Sequence, residues 1–203
     1  TGVASPRFFI QVPEAEQDPV KQEAFSGLYV YLPTSNPLSL TIPAKGDRVS
    51  VTGLIVEWYG TIELSEVTDI EVVSTGNPIP APVVVTSADA GTGGSLADDY
   101  EAVLVQVNDG TVTALDPPLG AGDYAPSNEF VLDQALRVND FMYLTSPFPI
   151  VGEKLTVTGI LRWANDNSKV EPRDANDIVR GEGIKSFGPS PVFIDQGVNG
   201  NTN

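Results

Sequence analysis

The feature that most constrains this chain is a segment that occurs twice. Gly46-Asp47-Arg48-Val49-Ser50-Val51-Thr52-Gly53-Leu54-Ile55 reads against Gly152-Glu153-Lys154-Leu155-Thr156-Val157-Thr158-Gly159-Ile160-Leu161. Each copy has a glycine, an acid and a base, then alternating residues that end in Val-Thr-Gly. Each is followed by a tryptophan, Trp58 or Trp163, and then by an Asp-Ile pair, Asp69-Ile70 or Asp177-Ile178. Self-similarity at a spacing of about one small domain marks a duplicated structural unit. The 203 residues suffice for two such units, each with its own core.

Residue alternation predicts what the unit is made of. Period-2 patterns predict strands over 7–12, 27–32, 48–58 and 61–73 in the first copy. In the second copy they predict a long strand over 101–115, broken near Asp109-Gly110, and a hairpin of 129–133 with 135–144. A last pair is predicted over 154–163 and 170–180. Gly53 and Gly159 fall inside long strands, where a barrel strand bends or bulges. Helical signal is confined to single turns near 21–25 and 96–100. Asn77-Pro78-Ile79-Pro80-Ala81-Pro82 reads as a stiff connector between the copies, and residues beyond Gly181 read as an extended tail.

Composition removes several kinds of chemistry. Neither cysteine nor histidine occurs, so disulfides, zinc–thiolate sites and Ser-His-Asp or Cys-His catalysis are excluded. No Gly-rich phosphate loop is present, because Gly91-Thr92-Gly93-Gly94 lacks the lysine. No apolar run is long enough to span a bilayer as a helix. The formal charge is −16; residues 1–82 carry 4 basic and 10 acidic residues, and residues 83–203 carry 7 and 17. Such a surface repels phosphate backbones and favours solubility.

Further segments carry a family likeness. Phe8-Phe9-Ile10-Gln11, Ser26-Gly27-Leu28-Tyr29-Val30-Tyr31, the Val-Thr-Gly strand, Asn77-Pro78-Ile79-Pro80-Ala81-Pro82-Val83-Val84-Val85 and Tyr100-Glu101-Ala102-Val103-Leu104-Val105 resemble the OB-fold modules found beside secreted bacterial nucleases of the endonuclease/exonuclease/phosphatase type. The resemblance covers residues 1–180. It implies an all-β chain of two tandem OB-like five-stranded barrels, residues 1–82 and 83–180, followed by a tail over 181–203. The family's first strand starts before the segment that matches Thr1-Gly2-Val3, so the first barrel is expected to lack most of strand 1. The nuclease domain has no counterpart here. The resemblance therefore implies an accessory, non-catalytic module at an extracellular or cell-surface location. The chain opens without a Met, as a processed or trimmed form would.

Three groups of residues are candidate sites. Phe9, Gln11, Tyr29 and Tyr31 are predicted to share the outer face of two paired strands, where OB folds stack bases or sugars on aromatic rings. The competing reading is that these rings pack against the second copy or the tail. Asp166, Asp174 and Asp177 are dense oxygen ligands that could hold calcium, although Asn and Asp are also ordinary turn residues. No other cofactor is expected. In the tail, Val192, Phe193 and Ile194 form an apolar, β-prone run able to add to an exposed sheet edge, within one molecule or between molecules. A protein partner or self-association is expected ahead of nucleic acid, because neither half shows a basic groove.

Overall fold

The computed structural model describes residues 7–181. The described chain is mostly strand and forms a closed five-stranded barrel beside a second, four-stranded sheet. The second sheet comes first in sequence: β1 (Arg7–Gln11), β2 (Gly27–Tyr31), β3 (Arg48–Trp58) and β4 (Thr61–Ser74), in the order β1-β2-β4-β3. A short β5 (Val83–Val84) and one helical turn, α1 (Ser87–Ala90), lead into the barrel. Its strands are β6 (Leu104–Leu115), β7 (Phe130–Leu132), β8 (Leu136–Val138), β9 (Lys154–Ala164) and β10 (Asn167–Glu171). The order β6-β7-β8-β10-β9 closes through β6–β9 pairing, and a last strand, β11 (Ile178–Arg180), lies on β9.

Residue pairing relates the two units position by position. Ile55 pairs with Leu64 as Leu161 pairs with Val170; Leu64 neighbours Val30 in parallel as Val170 neighbours Val138; Val30 pairs with Phe8 as Val138 pairs with Phe130. The order β1-β2-β4-β3 is thus the barrel's β7-β8-β10-β9; among the described residues no strand corresponds to β6. The Asp-Ile pairs are equivalent as well, since Ile70 lies opposite Val51 and Ile178 opposite Val157. The tryptophans are not equivalent. Trp58 lies opposite Thr61, at the position that Ala164 holds opposite Asn167.

The Val-Thr-Gly repeat has a steric cause. A Cβ on Gly53 would lie 2.7 Å from the Ser65 carbonyl oxygen, and one on Gly159 would lie 2.6 Å from that of Glu171. Both glycines let the long strand press its backbone onto the neighbouring strand.

Two predicted strands are shorter than expected. β8 stops at Val138 rather than continuing to 144, and residues 139–153 form an irregular loop. The predicted strand over 170–180 is two strands, parted by residues 172–177, where Pro172 removes a ladder donor. The predicted turn near 21–25 forms turns rather than a helix, and the helical turn falls at Ser87–Ala90, capped by the Thr86 hydroxyl accepting from the Asp89 N–H at 3.1 Å.

The cores follow from the topology. Thirteen buried residues fill the barrel, Val105, Val107 and Val112 of β6 among them, whereas four fill the first unit: Val30, Leu32, Leu64 and Val67. The units meet directly. The Phe25 N–H donates to the Asp99 carbonyl at 2.7 Å. The β3–β4 turn rests on Trp163, whose Nε1 donates to the Tyr59 carbonyl at 3.1 Å. The Thr61 hydroxyl donates to the Trp163 carbonyl at 2.8 Å. Gly60 sits there with φ +82°, and a Cβ on it would lie 2.5 Å from the indole nitrogen.

Candidate functional site

The pleat of β1 and β2 places Phe9 directly opposite Tyr29 on the outer face. Their ring centroids are 5.1 Å apart. A third ring arrives from the barrel: Phe141, in the loop after β8, stands 6.3 Å from each, edge-on. The guanidinium carbons of Arg7 and Arg162 lie 3.8 and 4.0 Å from the Phe141 centroid. Tyr29 is 5% exposed, and burial raises its hydroxyl pKa against the opposing pull of Arg162 and Arg7. The Gln11 side-chain oxygen accepts from the Leu104 N–H of β6 at 3.1 Å, and its amide donates to the Ser26 hydroxyl at 3.3 Å. Tyr31 is half-buried, opposite Arg7. Three of these four residues are therefore engaged in a joint between the two units, with rings and guanidiniums alternating across it.

The matching face of the barrel is also covered, by charge. Arg137 and Lys169 project outward from β8 and β10, and the loop after β6 folds over them. Lys169 is 1% exposed, and its ammonium donates to Glu129 Oε1 at 2.5 Å, Asn165 Oδ1 at 3.1 Å and Asp123 Oδ2 at 3.4 Å. These contacts use all three of its donors. Arg137 donates to Glu129 Oε2 at 2.8 Å and to the Pro118 carbonyl at 2.9 Å. Both cations of this face are neutralised internally.

A second buried polar group lies at the joint. Glu171 accepts from Asn139 Nδ2 at 3.2 Å and the Phe141 N–H at 3.3 Å, with Arg162 3.6 Å away. Burial pushes its carboxyl up to about 6, against the pull of Arg162, Asn139 and Lys169. Glu101 lines a cleft of about 230 Å³ with Gly60, Ala97, Asp98, Trp163 and Ser168. Burial, joined by the charge of Asp98, pushes Glu101 up to about 7, and its Oε1 is buried without a hydrogen-bond partner. A carboxyl raised in this way keeps its proton to higher pH than an exposed one and, while protonated, can donate a hydrogen bond.

The acidic candidates have other engagements. Asp177 is buried and bidentate to Arg173 at 2.7 and 2.8 Å. Asp174 caps the following turn, accepting from the Asn176 N–H at 2.9 Å, and faces Lys45 at 3.8 Å. Asp166 and Asn165 form the tight β9–β10 turn, both with positive φ. Among the described residues no three acidic side chains converge closely enough to hold a metal ion. Val192, Phe193 and Ile194 lie outside the described residues.

Sequence reading missed Phe141 and Arg162 because both were assigned to strands without a partner across the units. The available signal was an aromatic cluster, Phe141-Met142-Tyr143, in a stretch without clean alternation.

No protein-family model matches this chain, and neither the curated proteins nor the solved structures contain a significant match. Among the described residues no helix is long and apolar enough to cross a membrane.

Proposed function

We propose that this chain is a non-catalytic, secreted or cell-surface module, built from two tandem OB-type units, that serves interaction and structure within a larger extracellular assembly. The strand order of the closed barrel, with its parallel β8–β10 pair, supports the OB reading, and the described strands of the first unit follow the same order without a counterpart of β6. The extracellular setting rests on the resemblance to modules beside secreted nucleases. The observation that carries the reading is that the outer faces over strands 2 and 3, where OB folds take ligands, are occupied by the chain itself. Phe141 covers Phe9 and Tyr29 in one unit, and Glu129 and Asp123 neutralise Lys169 and Arg137 in the other.

The alternative is a nucleic-acid-binding accessory domain of a secreted nuclease. A net charge of −16 and internally paired cations oppose it, since single-strand binding needs free basic groups along the backbone. Fluorescence anisotropy with a labelled single-stranded oligonucleotide at physiological salt tests the choice. No binding at protein concentrations up to ~100 µM is expected, weaker than the usual non-specific range of ~10⁻⁴–10⁻⁶ M. Micromolar binding that weakens steeply with salt would establish the alternative.

A further inference from the structure

One end of the barrel holds a cleft whose polar groups are left open. On β10, Ser168 stands two residues before Val170; on β9, Trp163 stands two residues after Leu161, directly opposite Ser168. Val170 and Leu161 belong to the barrel core, so the pleat turns Ser168 and Trp163 toward the same side, at the barrel's mouth. Ala97, Asp98 and Glu101, from the segment that enters β6, and Gly60, from the β3–β4 turn of the first unit, complete a cleft of about 230 Å³. Barrel mouths and seams between units are places where ligands are held. Ser168 is 3% exposed; its N–H is spent on Thr92 Oγ1 at 3.0 Å, and its hydroxyl takes no part in any hydrogen bond between described residues. Glu101 Oε1 is buried without a hydrogen-bond partner. Neither Asp98 nor Glu101 joins an ion pair among the described residues. Among those residues no basic side chain lines the cleft, and Arg162, which acts on Glu101 from outside it, lies 3.6 Å from Glu171. The Trp163 indole supplies a flat wall, its Nε1 already held by the Tyr59 carbonyl.

We propose that this cleft takes the guanidinium of an arginine carried by a partner protein, seated against Trp163 and donating to Glu101, Asp98 and the Ser168 hydroxyl. The proposal rests on the interaction-module reading and names the chemistry of what the module holds. The open groups are acceptors: two carboxyls and a hydroxyl oxygen. A guanidinium matches such a set, having five donors and no acceptor. Its plane also stacks on an indole face, which an ammonium does not offer. The volume lies below the ~300–1,000 Å³ of sites that take a drug-sized ligand, which suits a single side chain. The arginine belongs to a chain rather than to the free amino acid. A free α-carboxylate would find no cation in the cleft to receive it and would meet the field of a protein with a net charge of −16. That same field draws in a basic partner.

Protonation of Glu101 competes with the cation. Burial raises this carboxyl to about 7, against the pull of the Ile62 N–H and Arg162 and with the push of Asp98. The rest of the lining, Gly60, Ala97, Trp163 and Ser168, carries no charge. A bound guanidinium favours the carboxylate form, so binding releases a proton from the fraction of Glu101 that carries one. Affinity therefore rises as pH climbs through about 7. A neutral ligand of the same shape would show no such rise.

The chain has two tryptophans, so the indole N–H signals of the ¹⁵N-labelled full chain give a direct readout, assigned with Trp58→Phe. The probe is N-acetyl-argininamide, an arginine with both ends capped as in a peptide. It should shift the Trp163 signal saturably and bind severalfold more tightly at pH 8 than at pH 6. N-acetyl-citrullinamide, close in shape and neutral, should leave the signal in place, and free L-arginine should bind more weakly than the capped form. Asp98→Asn changes an exposed side chain, carries little risk to folding, and should weaken binding severalfold. Glu101→Gln should weaken it as well and remove its dependence on pH. No saturable Trp163 shift, an equal shift with the citrulline probe, or binding unchanged in both variants would overturn the proposal. Free arginine binding as tightly as the capped form would overturn the assignment to a protein-borne side chain. Each of these failures leaves the module reading standing, because that reading is tested by the oligonucleotide.

Discussion

Replacing Phe141 with alanine should loosen the first unit from the barrel. The ring makes two edge-on contacts, with Phe9 and Tyr29, and lies against two guanidiniums. Aromatic pairs contribute ~0.5–1.5 kcal/mol each beyond their area, and a cation over a ring ~0.5–1 kcal/mol at an exposed site. The full sum is ~2–5 kcal/mol, and because Phe141 itself is only half-buried the lower half applies, ~2–3 kcal/mol. Phe141→Leu retains apolar area and loses the quadrupole, so it should cost about half as much. Urea unfolding followed by circular dichroism and tryptophan fluorescence is the assay, with Trp58 and Trp163 both near the joint. Phe141→Ala should lower the midpoint or split off an early transition for the first unit while the barrel's transition stays in place. A cycle with Phe9→Ala should show a coupling of ~0.5–1.5 kcal/mol. An unchanged curve for Phe141→Ala, or additivity with Phe9→Ala, would refute the claim that this cluster joins the units.

Lys169→Met leaves Glu129 buried with only Arg137 for compensation, and should cost ~3 kcal/mol, the lower end of what breaking a buried pair costs; a neutral result by thermal denaturation would refute the claim that Lys169 is what balances this buried carboxylate. Burial holds the Glu101 carboxyl at about 7 in the fold against 4.5 in the open chain, so the folded state keeps a proton that the unfolded state has lost. Stability should therefore fall as pH rises from about 4.5 to about 7 and level off above that, and Glu101→Gln should flatten this part of the profile of melting temperature against pH. Gly53→Ala and Gly159→Ala each place a Cβ against a backbone carbonyl, at 2.7 and 2.6 Å, and should each cost ~1–3 kcal/mol; a melting point unchanged in both would remove the steric account of the Val-Thr-Gly repeat.

The duplicated unit was legible because what repeats is ladder geometry. Gly-acid-base, Val-Thr-Gly and Asp-Ile recur where the same strand meets the same neighbour, so spacing in sequence maps onto register in the sheet. The tryptophans recur in sequence but not in register, because one lies five residues beyond its glycine and the other four. Alternation in 27–32 correctly put Leu28, Val30 and Leu32 on one face and the tyrosines on the other. What that outer face meets was not legible, since Phe141 arrives from more than a hundred residues away. The same limit hid the Lys169 network: period-2 patterning assigns Arg137 and Lys169 to the outside and is blind to a loop folding over them. Residues 172–177 interrupt a strand that is continuous in the first unit, and the alternation on either side concealed the break.

That interruption has a mechanical consequence. The chain leaves the barrel through β11, three residues long and lying antiparallel on β9. Tension on the chain beyond Arg180 would open such a ladder one bond at a time, from its free end, which is the weakest way to load a strand. Arg180 stands at that end, and its guanidinium grips the Glu153 carboxylate and the Pro147 carbonyl. The Gly181 N–H, which donates to the Lys154 carbonyl at 2.9 Å, meets such a pull first, and the Arg180 side chain backs it. The Arg173–Asp177 clasp just upstream keeps the break in the strand from becoming the next point to yield.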